Sequence, residues 1–87
     1  MKERWMIWVA GYGKFDFDGT EEEAEEMRRH KARWEGGQGR KWRLQNQTEA
    51  DKLTAEIVGL WESGKGAPQS LMSRLHKAKQ KESVPHD

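Results

Sequence analysis

The stretch Arg4-Trp5-Met6-Ile7-Trp8-Val9-Ala10-Gly11-Tyr12-Gly13-Lys14-Phe15-Asp16-Phe17-Asp18 decides how this chain folds. Its first part, residues 4–10, is rich in Trp, Ile and Val, side chains that suit a pleated and partly buried surface. Trp5, Ile7 and Val9 fall on one face, and Met6, Trp8 and Ala10 on the other. Both faces are apolar, so the strand is either central in its sheet or has one face turned to a partner. Gly11-Tyr12-Gly13 supplies a tight turn whose glycines can take positive φ. Residues 14–18 alternate and form a second strand, with Phe15 and Phe17 inward and Asp16 and Asp18 outward.

After this hairpin, Thr20 opens a helix. Its hydroxyl caps the N-terminus while Glu23, three residues on, reaches back. Glu21, Glu22, Glu23, Glu25 and Glu26 lie toward the positive end of the helix dipole, and Arg28, Arg29, Lys31 and Arg33 toward the negative end. Ala24, Met27, Lys31 and Trp34 recur at helical spacing, which turns Met27 and Trp34 toward the sheet. Gly36-Gly37 ends the helix. Residues 40–45 form a third strand, with Trp42 and Leu44 on one face and Lys41, Arg43 and Gln45 outward on the other.

The fold expected is α+β: a three-stranded antiparallel sheet of order 2-1-3, packed with two helices as β-β-α-β-α, plus a weak C-terminal third helix. Its core gathers Trp5, Ile7, Val9, Phe15, Phe17, Met27 and Trp34. The second helix, about 49–63 and capped by Thr48 or Asn46, carries Ala50, Leu53, Ile57, Leu60 and Trp61 as its apolar stripe. Its Leu53, Ile57 and Trp61 belong either to the same core or to a cover over the second face of the sheet. The organisation expected is an α+β domain over 1–64, a linker over 65–69, a weak basic helix over 70–80 and a disordered tail over 81–87.

Composition narrows the class. Eighty-seven residues make one domain at most, with a thin core. There is no Cys, so disulfides, thiolate metal sites and Cys nucleophiles are excluded. A reducing compartment fits, and a cytoplasmic location is expected. The longest apolar run, 5–10, is too short to span a bilayer and makes a poor signal peptide. Net charge is only +1, but it is segregated: acidic over 21–26, basic over 28–43 and again over 65–81.

Three motifs hint at chemistry. Asp16-Phe17-Asp18-Gly19-Thr20, following an apolar strand, resembles the first motif of the haloacid-dehalogenase-type phosphatases. The resemblance implies Asp16 as nucleophile and Asp18 as acid/base. It covers five residues; the rest of the chain is too short for that family's doubly wound sheet, and no later Asp pair follows to hold Mg²⁺. The stretch 59–65 matches part of a phosphate loop, but Gly66 stands where Ser or Thr must hold Mg²⁺. Gly36-Gly37-Gln38-Gly39 could offer backbone N–H groups to a phosphate. His30, His76 and His86 have no metal-ligand spacing. No catalytic, cofactor or metal residues are therefore assigned, and an enzyme is not expected.

Binding remains, in two forms. Met6 and Trp8, on the sheet face that the first helix does not cover, would meet a protein partner or a second copy of the chain unless the second helix packs there. Lys31, Arg33, Arg40, Lys41 and Arg43, interleaved with Trp34 and Trp42, would contact nucleic-acid phosphates while an exposed Trp stacks on a base. The placement of Trp8 discriminates between them. Protein binding ranks first, nucleic acid second, and no membrane contact is expected. In character (short, Cys-free, rich in Trp) the chain resembles small accessory proteins of bacteriophages and mobile elements, which implies host-protein inhibitors or DNA-associated factors.

Overall fold

The computed structural model describes residues 2–83, with Glu35 and Ser83 described by backbone alone. The elements are β1 (Glu3–Val9), β2 (Gly13–Gly19), α1 (Glu21–Glu35), β3 (Gly39–Arg43), α2 (Glu49–Glu62) and α3 (Gln69–Ser83). β1 is central and pairs antiparallel with both neighbours, giving the expected order β2-β1-β3.

The chain divides into two compact units, the first ending at Gln47 and the second beginning at Thr48. The first holds the sheet and α1, and the second holds α2 and α3. The reason lies in the stripe of α2: Ala50, Leu53 and Ile57 cluster with Leu71, Leu75 and Ala78 of α3, and Leu60, Trp61, Ala67 and Met72 pack around them. These two helices form a hairpin with its own small core. The third helix is longer than the sequence indicates, taking in residue 69 of the expected linker and residues 81–83 of the expected tail. Residues 84–87, the rest of the expected disordered tail, lie outside the described residues, as does His86.

In the first unit, β1 and β2 form a hairpin closed by the Tyr12 N–H, which donates to the Val9 carbonyl at 3.0 Å. Gly11 and Gly13 adopt φ of 88° and 115°, which only Gly takes without strain. Trp5, Ile7 and Val9 are buried on the face that α1 covers. The Trp5 indole N–H donates to the Gly19 carbonyl at 3.1 Å, tying the central strand to the end of β2. Thr20 and Glu23 make the expected reciprocal cap. Thr48 and Asp51 build a second one on α2.

Small residues let α1 approach the sheet. Ala24 is fully buried, and Gly39 lies beneath the helix: a Cβ there would stand 2.9 Å from Arg28 Cγ and 3.4 Å from Ala32 Cβ. The sheet-facing direction of α1 thus runs through Ala24, Arg28 and Ala32. Trp34 lies roughly 120° around the helix from that direction at 100° per residue. It is 76% exposed, so it is not the core residue that its spacing suggested. Phe15, Phe17 and Met27 are half-buried rather than central to the core.

Two glycine substitutions should move stability in opposite directions. Gly39→Ala is expected to cost about 1–3 kcal/mol, because the new methyl meets the Arg28 stem. Gly59→Ala, in an exposed turn of α2 with nothing within 4 Å of the new methyl, is expected to add up to about 1 kcal/mol. Urea denaturation of the two variants beside the parent checks both signs.

Candidate functional site

The register between β1 and β3 decides the fate of the basic strand. Lys41 lies opposite Ile7 and Arg43 opposite Trp5, so both sit on the face that α1 covers. They do not point outward, as alternation within the third strand alone suggested. Their side chains are only 20% and 17% exposed. Lys41 Nζ stands 5.6 Å and the Arg43 guanidinium carbon 4.6 Å from the Trp5 ring centre, within cation–π range. Arg43 Nε donates to Glu3 Oε2 at 3.1 Å and its Nη2 to Glu21 Oε1 at 3.3 Å.

Glu25 is the anion at the centre of this cluster. It accepts from Arg28 Nε at 2.9 Å and Arg29 Nε at 3.0 Å, and pairs with Lys41 Nζ at 3.3 Å. The Arg28 hydrogen bonds, with help from the Lys41 charge, hold its carboxyl down at about 2 despite partial burial. Arg28 also donates to the Gly39 carbonyl at 3.2 Å, and its own pKa is raised by Glu25. Arg40 lies opposite Trp8, where burial and then the nearby Arg28 charge push its pKa down. Arg28, Lys41 and Arg43 hold α1 on the sheet, and that role competes with any phosphate contact.

The other candidate residues are scattered. Arg33 is exposed on the last turn of α1. Lys31 Nζ lies over Tyr12, 4.9 Å from the ring centre, and 6.0 Å from that of Phe15. Met6 is half-buried and Trp8 is 9% exposed, while Trp42 on the same face is 6% exposed.

The motifs that hint at chemistry lie on β2, in α2 and at the end of α1. Asp16 and Asp18 lie on an antiparallel edge strand, exposed, with Arg4 at 3.6 and 3.7 Å. Gly59 is inside α2; the Ser63 hydroxyl donates to its carbonyl at 2.7 Å, and the Lys65 N–H donates to Leu60, as at a helix C-terminus. The N–H groups of Gly36 and Gly37 go to the carbonyls of Arg33 and Ala32 and close the end of α1. Among the described residues, no group of three or more His, Cys, Asp or Glu is placed to hold a metal ion. No described helix is long and apolar enough to cross a membrane.

The surface that does stand out runs between α1 and β2. α1 lies mainly over β1 and β3, which leaves the Phe15 and Phe17 side of β2 open. Phe17, Glu23, Glu26, Met27 and His30 line a groove of about 460 Å³ there. Tyr12, 50% exposed, packs edge-on against Phe15 with ring centres 5.7 Å apart. Trp34 stands at the far end of α1, its indole N–H directed to His30 Nε2 at 3.2 Å. The helix contributes Met27, His30, Lys31 and Trp34 from one strip at i, i+3, i+4 and i+7. A second groove of about 830 Å³, lined by Glu3, Thr20, Glu21, Glu22, Glu25, Glu26, Arg29 and Lys41, is mainly acidic.

Tyr12 and Trp34 were missed as surface residues because one was assigned to a turn and the other to the core. The signal lay in the small residues. Ala24, Ala32 and Gly39 mark the side of closest helix–sheet approach, and Trp34 is not on it. Comparison with protein-family models, with curated proteins and with solved structures returns no match.

The position of Glu25 sets a pH dependence. Its carboxyl binds a proton less readily in the folded chain than at its ordinary value of 4.5. Its stabilisation is therefore complete above about pH 4.5 and is lost as pH falls toward 2. Glu25→Gln is expected to cost about 1–3 kcal/mol at pH 7 and very little near pH 2. Urea denaturation midpoints across that pH range should show parent and variant converging in acid.

Proposed function

We propose that this chain is a small non-catalytic accessory protein that binds another protein through the aromatic edge formed by Tyr12, Phe15, Phe17, Met27 and Trp34. The observation that carries the reading is the exposure of Trp34, at 76%. A Trp side chain carries roughly 150–250 Å² of surface. Leaving it in water forfeits burial that a thin core could use. Exposed Trp and Tyr beside half-buried Phe and Met match the anchor-and-pocket composition of protein interfaces. The rim contributed by Glu23 and Glu26 favours a partner with basic groups at that end. A chain free of Cys suits a reducing compartment such as the cytoplasm.

A nucleic-acid reading draws on one observation, the exposed Arg33 beside the exposed Trp34, a pair that could meet a phosphate and a base. It ranks second, because Lys41 and Arg43 pair with carboxylates and stack on Trp5.

Photo-crosslinking tests the reading. Benzoylphenylalanine replaces Trp34 or Tyr12 in living cells, with exposed Lys52 of α2 as the control position. Protein adducts from positions 34 and 12, and none from 52, are the expected result. Nucleic-acid adducts alone would move the second reading to first place; no adduct from either position would remove both. Trp34→Ala should leave unfolding stability within about 0.5 kcal/mol, because the side chain is exposed.

A further inference from the structure

We propose that the partner at the β2 edge is a second copy of this chain, paired antiparallel along β2 about a two-fold axis at Asp16. This rests on the protein-binding reading and names the partner for part of the same surface.

β2 is a terminal strand of the sheet, hydrogen-bonded to β1 on one side. Alternate backbone N–H and C=O groups along its other side point away from the sheet, as on any edge. α1 does not close this side, because it lies mainly over β1 and β3. A seven-residue edge with two half-buried phenylalanines on one face is therefore open to strand addition.

The sequence of that edge is complementary to its own antiparallel image. A two-fold axis at Asp16 sets Lys14 opposite the partner's Asp18, twice. It sets Phe15 opposite the partner's Phe17, also twice, on the face that carries α1. Cross-strand ion pairs and aromatic pairs of this kind each contribute roughly 0.2–1 kcal/mol. The whole strand, Gly13–Gly19, is used. The one unfavourable pairing is Asp16 against the partner's Asp16, and each carries Arg4 of its own chain at 3.6 Å to offset it.

Neighbouring registers are worse. Moving the axis to Phe17 sets Asp16 opposite the partner's Asp18 twice, like against like. Moving it to Phe15 shortens the paired stretch and leaves each Phe17 opposite Gly13. The charges on the face away from α1, Lys14, Asp16 and Asp18, oppose most foreign strands and admit their own copy. The product is a continuous six-stranded sheet, with both copies of α1 on one face and four phenylalanines between them.

Charge swaps read this register directly. Lys14→Glu alone sets Glu opposite the partner's Asp18, and Asp18→Lys alone sets Lys opposite the partner's Lys14. Mixing the two variants restores an opposite-charge pair at both positions. In sedimentation equilibrium, the parent is expected to show a concentration-dependent dimer. Each single variant should dissociate about tenfold more readily, and the equimolar mixture should return to within about threefold of the parent. Circular dichroism of each variant checks that it is folded.

A parent that stays monomeric up to about 1 mM overturns the proposal. So does an Asp18→Lys variant that dimerises like the parent, or a mixture that fails to recover. A monomeric parent that still yields protein adducts from Trp34 removes this inference alone and leaves the protein-binding reading in place.

Discussion

The first unit depends on what happens above the Trp5 ring. The ring lies at the centre of the sheet face, 1% exposed, with Lys41 and Arg43 over it and its own N–H bound to the Gly19 carbonyl. One side chain thus touches all three strands. The two cations above it would be costly to desolvate alone. Glu3 from β1 and Glu21 and Glu25 from α1 supply the opposite charge. The acidic first half of α1 and the basic run of β3, which look like two separate charge blocks in the sequence, are two halves of one fastening.

That fastening redistributes the surface. Basic residues that would suit a phosphate backbone are drawn under the helix, and the helix is drawn over β1 and β3. The cost falls on β2, whose phenylalanines stay half-covered, and on the far edge of α1, where Trp34 stands in water. The aromatic edge is thus a consequence of where α1 is held.

Much of the fold could be read from local pattern. The alternation of residues 14–18, the glycines of the turn and the Thr20–Glu23 cap each act over a few residues, so each was legible. The order 2-1-3 followed because a strand apolar on both faces belongs in the middle. What escaped were relations set by register and helix rotation. Which side Lys41 and Arg43 face depends on the pairing Ile7–Lys41, and a strand read alone does not fix that pairing. Trp34 and Met27 share an apolar stripe in projection, but Ala24, Ala32 and Gly39 allow the closest approach on another side. The grouping of α2 with α3 rested on an apolar face of α3 supplied by Leu71, Leu75 and Ala78 with Met72 beside them, a faint signal in a basic helix. The Tyr12–Phe15–Phe17 edge was least legible, because each aromatic already had a plausible place in a turn or core.

A double-mutant cycle between Glu25 and Lys41 tests most directly whether the basic residues of β3 serve the fold. Glu25→Gln, Lys41→Met and the double variant are compared with the parent by urea denaturation at low ionic strength. A coupling energy of about 0.5–2 kcal/mol, shrinking with added salt, is the result expected of a partly shielded pair at 3.3 Å. Additive effects, with no coupling, would mean that Lys41 does not hold α1 to the sheet and would return the β3 cations to the list of candidate ligand contacts.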